Sequence, residues 1–315
     1  MVNIVDDPGL QARLQPEALA VLEFASGRQW NYAQWNAAIA QTAGLLVSHY
    51  GIKPGERIAA LGRNCAEQAL LHLACARIGA IFVPLNWRLA LPEQRRLLDD
   101  CDPALLVGDE EFLNPLRAAV RRTLFPALRG EIEQAAALAP VPFDRDAPSL
   151  ILYTSGTSGR PKGVLLSERN ITQTAVNFGL LARVTHESTM LAETPMFHVM
   201  GIITNLRPAF MRGGAVLISE GFDATRTLAR LSDPGLRITH YFCVPQMAKM
   251  LRAEPGFDPQ RLRNLTGIFS GGAPHPAADI RAWLRDGIAI ADGFGMSEAG
   301  TVSCMPVHIP LIDQK

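Results

Sequence analysis

Short apolar runs alternate with longer segments whose apolar positions recur every three or four residues, almost from end to end. The first long segment, 33–50, places Trp35, Ile39, Thr42, Leu45 and Leu46 on one helical face. Lys53, Pro54 and Gly55 make a turn, and 57–61 reads as a strand. The pattern then predicts helix 65–78, strand 80–83, helix 92–100 and strand 104–107. In the second half it predicts helices at 168–182, 201–211, 224–231, 245–252 and 276–285. Strands are predicted at 150–153, 189–192, 215–218, 238–242, 267–269 and 288–291. Parallel strands need crossover connections, and this alternation supplies them. The expected class is α/β, with layered, parallel-rich sheets covered by helices.

Between the halves, 121–148 contains Pro126, Gly130, Pro140, Pro142 and Pro148 and reads as a linker or surface excursion. It divides the chain into an expected first α/β subdomain, 1–148, and a second, 149–315. The longest apolar stretch, 70–85, contains His72 and Arg77 and is broken by Gly79 and Pro84, so no integral membrane segment is expected. Hydrophobic residues at 48% and charged residues at 19% suit a soluble chain with a substantial core. The 30 basic and 30 acidic side chains cancel, which removes the electrostatic case for a nucleic-acid partner. The five cysteines, Cys65, Cys75, Cys101, Cys243 and Cys304, form no CxxC pair, and no secretory leader is evident. Reduced thiols in a cytoplasmic setting are expected.

The densest chemistry lies in Tyr153-Thr154-Ser155-Gly156-Thr157-Ser158-Gly159-Arg160-Pro161-Lys162-Gly163-Val164. Glycine permits backbone conformations and approaches that a Cβ would block. Hydroxyls, backbone N–H groups and Lys162 can then surround a polyphosphate. Pro161 holds Arg160 extended, so no helix starts inside the loop. A GxxxxGK[ST] motif would need glycine where Pro161 stands, and no GxSxG elbow is present. The loop reads as a phosphate clamp of a different kind.

This stretch resembles the phosphate-binding loop of the adenylate-forming superfamily, which includes acyl-CoA synthetases, adenylation domains of peptide synthetases and luciferases. The resemblance implies that Thr154, Ser155, Gly156, Thr157, Ser158 and Gly159 hold the β- and γ-phosphates of ATP, with Lys162 assisting catalysis. Pro195-Met196-Phe197-His198-Val199-Met200-Gly201 resembles the acyl-pocket motif, which gives His198 a catalytic-site role. Adenylation domains for α-amino acids carry an aspartate in place of His198, so the resemblance points to an acid without an ammonium group.

Ser270-Gly271-Gly272-Ala273-Pro274 resembles the segment that contacts adenine and borders the acyl pocket. Asp292-Gly293-Phe294-Gly295-Met296-Ser297-Glu298 resembles the motif in which an aromatic lines the nucleotide pocket, a hydroxyl meets the α-phosphate and a glutamate holds Mg²⁺. Phe294, Ser297 and Glu298 take those roles, with Thr154 as a second metal ligand. Phe294 replaces the usual tyrosine and Ser297 the usual threonine. A weaker match, Pro84-Leu85-Asn86-Trp87-Arg88-Leu89, reads as packing in the first subdomain.

The resemblance is to the acid–CoA ligase branch, N-terminal part only. It implies attack of a fatty or aromatic carboxylate on ATP, release of pyrophosphate and transfer of the acyl group to coenzyme A. It also implies a missing hinge and C-terminal domain, so this chain alone is expected to bind nucleotide weakly and adenylate poorly. Unpaired sheet edges leave a homodimer as a candidate assembly. Two other classes stay open, a non-catalytic nucleotide- or acyl-binding module and a phosphotransferase.

Overall fold

The alternation within single strands decides the layering. Along Arg57–Leu61, Ile58 and Ala60 turn to one side, Ala59 and Leu61 to the other, and all are buried. A strand buried on both faces needs a covering layer on each side. The structure, a computed structural model, describes residues 6–116, 119–139, 144–154 and 161–307. Its first strands are β1 (Leu19–Glu23), β2 (Gln29–Asn31), β3 (Arg57–Leu61), β4 (Ile81–Leu85), β5 (Leu105–Gly108), β6 (Arg122–Leu124) and β7 (Pro148–Thr154). The remainder are β8 (Lys162–Ser167), β9 (Thr189–Ala192), β10 (Ala215–Ile218), β11 (His240–Cys243), β12 (Gly267–Ser270), β13 (Ile290–Met296) and β14 (Gly300–Cys304).

They form a six-stranded sheet, β6-β5-β3-β4-β7-β8, and an eight-stranded sheet, β14-β13-β12-β11-β9-β10-β1-β2. The pairs β1–β2, β7–β8 and β13–β14 are antiparallel, and the other described pairs are parallel. One apolar cluster joins Ile58, Ala60 and Phe82 of the smaller sheet to Val216, Ile218 and Phe242 of the larger one. Helices Tyr32–Ser48, Ala66–Ile78 and Glu168–Leu181 contribute to the same cluster, so they lie between the sheets. Ala59, Leu61 and Val83 instead pack with Leu97 and Leu98 of helix Leu91–Cys101. Tyr241, Ile268 and Ile290 pack with Leu228, Leu251 and Trp283 of three helices on the far side of the larger sheet. The order is helix, sheet, helix, sheet, helix: the expected α/β class, with mixed but mostly parallel sheets.

Local chemistry sets the helix ends. Asn31 and Gln34 form a reciprocal capping box before Tyr32–Ser48, and the Ser167 hydroxyl accepts from Asn170 N at the start of Glu168–Leu181. Helix Ala66–Ile78 is buried along nearly every residue, as its central position demands.

Several expectations need correction. The described part of 121–148 is no linker: it supplies β6 and helix Phe125–Gln134, whose Phe125, Leu128 and Ile132 are buried. The sheets are not divided at residue 148, because β7 and β8 join the first sheet and β1 and β2 the second. Hydrophobic alternation marks a strand but does not name its neighbour. The helix expected at 201–211 is broken into a π-helical turn, Met200–Thr204, and helix Arg207–Arg212, with Pro208 at the start of the second piece. Strand β8 takes up Lys162, Gly163 and Val164, read from the sequence as the end of the loop, and β13 runs on through Gly293 to Met296. Among the described residues no helix is long and apolar enough to cross a membrane.

Candidate active site

Parallel strands β9, β10, β11 and β12 deliver their C-terminal ends to one side of the larger sheet, the usual place for ligands in such folds. Glu193 and Thr194 follow β9, Phe222 follows β10, Val244 follows β11, and Ser270, Gly271 and Gly272 end or follow β12. Together with β13 and β14 these segments enclose a cavity of about 630 Å³. Its apolar floor is an aromatic cluster: the Phe178 ring lies 5.1 Å from Phe269, edge to face, and 5.8 Å from Phe242. Such packing fixes ring orientation as well as burying area.

Another part of the lining is backbone. β13 leaves its parallel partner after the Ser270–Asp292 pair and continues as an antiparallel hairpin with β14. Gly295 has no room for a side chain, since an added Cβ would stand 2.5 Å from Gly300 O. The hairpin leans on helix Glu168–Leu181, where Asn170 Nδ2 donates to Glu298 O at 3.1 Å. Phe294 is 62% exposed and Met296 46%, and both also line the cavity.

Polar groups in the wall are few and specific. His198 opens to the cavity beside Phe197, with ring centroids 4.5 Å apart. Crowding by the wall, and then the Arg88 guanidinium, hold its pKa below the ordinary histidine value, so the ring is neutral at pH 7. Arg88 itself sits over the rings of Trp87 at 5.0 Å and Phe197 at 5.9 Å. Glu193 lines the cavity, but its Oε2 accepts from Thr227 Oγ1 at 2.7 Å and from the Tyr241 hydroxyl at 3.2 Å. Burial raises its pKa against those hydrogen bonds and the pull of Arg230.

Of the residues singled out in the sequence, the wall gathers His198, Gly271, Gly272, Gly293, Phe294, Gly295, Met296 and Ser297. Ala273 and Pro274 follow Gly272 as exposed residues outside it, and Asp292 lies one residue before it. Glu298 is exposed in the β13–β14 turn. Thr154 and Lys162 are register partners at the far end of the β7–β8 hairpin and do not line the cavity. Ser155, Gly156, Thr157, Ser158 and Gly159 lie outside the described residues.

Arg88, Phe178, Phe242 and Phe269 escaped the sequence reading as site residues. Arg88 stood inside the segment read as packing, and the three phenylalanines carry the same signal as any core residue.

Among the described residues no group of three His, Cys, Asp or Glu side chains could by itself hold a metal. One exposed carboxylate, Glu298, still suits Mg²⁺, which keeps water and takes substrate phosphates as ligands instead of a protein cage.

Comparison with known proteins gives the family. Residues 10–315 match the family described as AMP-binding enzyme, and the chain belongs to it. The chain is 33% identical over 293 residues to a feruloyl-CoA synthase from Amycolatopsis sp, a match covering 93% of this chain and 59% of that protein. It is 34% identical over 286 residues to an indoleacetate–CoA ligase from Aromatoleum aromaticum, covering 86% of this chain and 56% of that one. In three dimensions it is similar to the N-terminal domain of FACL13 from Mycobacterium tuberculosis, with a TM-score of 0.90, 28% identity and coverage of 100% of this chain and 81% of that domain. The chain therefore spans less than two thirds of the length of the curated relatives it matches.

Proposed function

We propose that this chain carries the nucleotide- and acid-binding body of an AMP-forming acid–CoA ligase. The overall reaction converts a non-amino carboxylic acid, aromatic or fatty, to its acyl-adenylate with release of pyrophosphate, and then to the coenzyme A thioester. The observation that carries this reading is the cavity itself: an apolar patch of Phe178, Phe242 and Phe269 adjoins glycine backbone at the strand ends. An aryl or alkyl group suits the floor, and a planar base suits the glycine edge. The carboxylate of Glu193 is taken up by Thr227 and Tyr241, which leaves it poorly placed to hold a substrate ammonium.

In this reading the protein supplies alignment and charge and needs no covalent nucleophile. Neutral His198 and cationic Arg88 border the place where a carboxylate enters, and Ser297 faces the α-phosphate. Lys162 and the hydroxyl-rich loop hold the departing pyrophosphate. Mg²⁺, when bound by Glu298 and Thr154, would neutralise phosphate charge. The five cysteines form no disulfide among the described residues, in keeping with a cytoplasmic setting.

The test is pyrophosphate exchange into ATP with a panel of aryl and fatty acids. The chain is expected to show slow exchange that depends on the acid, and Glu298→Gln is expected to lower it about 10²-fold. Exchange indifferent to every acid would overturn the reading. Formation of ADP would favour a phosphotransferase, and tight binding without exchange would favour a binding module.

A further inference from the structure

Asn64 follows β3 in the smaller sheet, yet its side chain reaches the wall of the cavity in the larger one. Its Nδ2 donates to Thr194 O at 2.9 Å, and its Oδ1 accepts from Met196 N at 2.9 Å. Asn64 is 6% exposed, so neither bond competes with bulk water. Strand β9 ends at Ala192, and the backbone beyond it has left the sheet ladder. The amide of Asn64 therefore does for Thr194 and Met196 what a neighbouring strand would do, offering one donor and one acceptor. Aspartate has the same shape but lacks the donor, and serine is too short to reach both groups.

The segment held in this way is the one that carries Pro195 and His198 into the cavity. It is fixed on its other sides as well. Asn205 Nδ2 donates to Thr194 Oγ1 at 2.6 Å, and His198 N donates to Pro195 O at 3.0 Å. Gly201 packs so closely below that an added Cβ would fall 2.0 Å from Pro195 O. The smaller sheet also contributes Arg88, just after β4, to the same wall.

We propose that Asn64 is a positioning residue of the site, which ties the smaller sheet to the backbone of Thr194–Met196 and so sets where His198 stands in the cavity. Its bearing on acid activation rests on reading this cavity as the acid site; its bearing on the wall does not.

The experiment follows the histidine ring signals of the 315-residue chain by NMR against pH, with His198 assigned by its loss in His198→Gln. Wild type, Asn64→Ala and Asn64→Asp are compared. In both variants the His198 midpoint is expected to rise toward the ordinary histidine value. The midpoint of His240, which stacks on Phe269 but bonds to Thr239 and Ala182 and not to the Thr194–Met196 segment, is expected to stay put. In parallel, both variants are expected to bind a cinnamoyl-sulfamoyl adenosine probe about tenfold more weakly than wild type. A His198 midpoint unchanged in folded variants would overturn the proposal, and so would failure of both variants to fold, since either makes Asn64 a merely structural residue. Failure of wild type to bind the probe would instead strike the acid-site reading, while the titration would still decide for or against Asn64.

Discussion

Replacing Arg207 with methionine is expected to cost about 3–5 kcal/mol of stability, enough to unfold the chain or nearly so. Arg207 is 2% exposed at the centre of the middle helical layer, and Glu168 is 1% exposed. Its Nη2 lies 3.0 Å from Glu168 Oε2 and 3.6 Å from Asp7 Oδ2, and Nη1 lies 3.4 Å from His72 Nε2. Glu168 Oε1 also accepts from Ser149 Oγ at 2.8 Å, across the base of the β7–β8 hairpin. Burial alone would push the Glu168 pKa up, but Arg207, together with His72 and the Ser149 hydrogen bond, reverses this and the net shift is downward. Without the guanidinium, two carboxylates would share a dry site with no cation.

The double variant Arg207→Met with Glu168→Gln is expected to lose clearly less than the two single variants combined, because it also removes the stranded charge. Denaturant unfolding of the four proteins decides the matter. Losses under about 1 kcal/mol in both single variants would show that the network contributes little.

The second large effect is on pH. His72 is 0% exposed, and burial first and Arg207 second depress its pKa to about 3. Beside a permanent cation the ring is neutral, so Nε2 accepts from Arg207 and the proton sits on Nδ1. The folded state therefore refuses a proton that the unfolded chain takes up below about pH 6.5. Stability from this group is intact above that pH and falls by roughly 1.4 kcal/mol for each pH unit of acidification, until the folded group itself titrates.

His240, depressed by burial to about 4, acts in the same direction. Replacing His72 with glutamine keeps an acceptor for Arg207 and removes one of these protons. Between pH 6 and 5 the slope of unfolding free energy against pH is expected to become shallower by about one proton, or roughly 1.4 kcal/mol per unit. Equal slopes in the two proteins would mean that His72 is protonated in the folded state.

Elements whose signal is local were legible in the sequence. The bounds of β3, β9, β10 and helix Ala224–Leu231 coincide with the expected 57–61, 189–192, 215–218 and 224–231, because each is a short apolar run or a clear amphipathic face closed by turn residues. Strand β8 was hidden by Lys162 and Gly163, which look like loop, although its ladder with β7 makes it a strand. Helix Phe125–Gln134 was hidden by the prolines and glycine around it, while Phe125, Leu128 and Ile132 were the face that mattered.

The glycine segments and His198 could be placed at one site from motif order. The aromatic floor could not, because Phe178, Phe242 and Phe269 come from a helix and two strands and meet only through sheet order. Asn64 was invisible for the same reason: its partners Thr194 and Met196 lie in the segment that follows β9 of the other sheet.

Calorimetric titration of the chain with the cinnamoyl-sulfamoyl adenosine, beside a Gly271→Val variant, tests the central claim most directly. The side chain added at Gly271 would project toward Gly293 O, 3.2 Å from its first carbon, and toward the Phe242 ring. One molecule is expected to bind per chain, with affinity lowered more than about tenfold in the variant. No binding to wild type, or equal binding to both proteins, would contradict the assignment of this cavity to an acyl-adenylate.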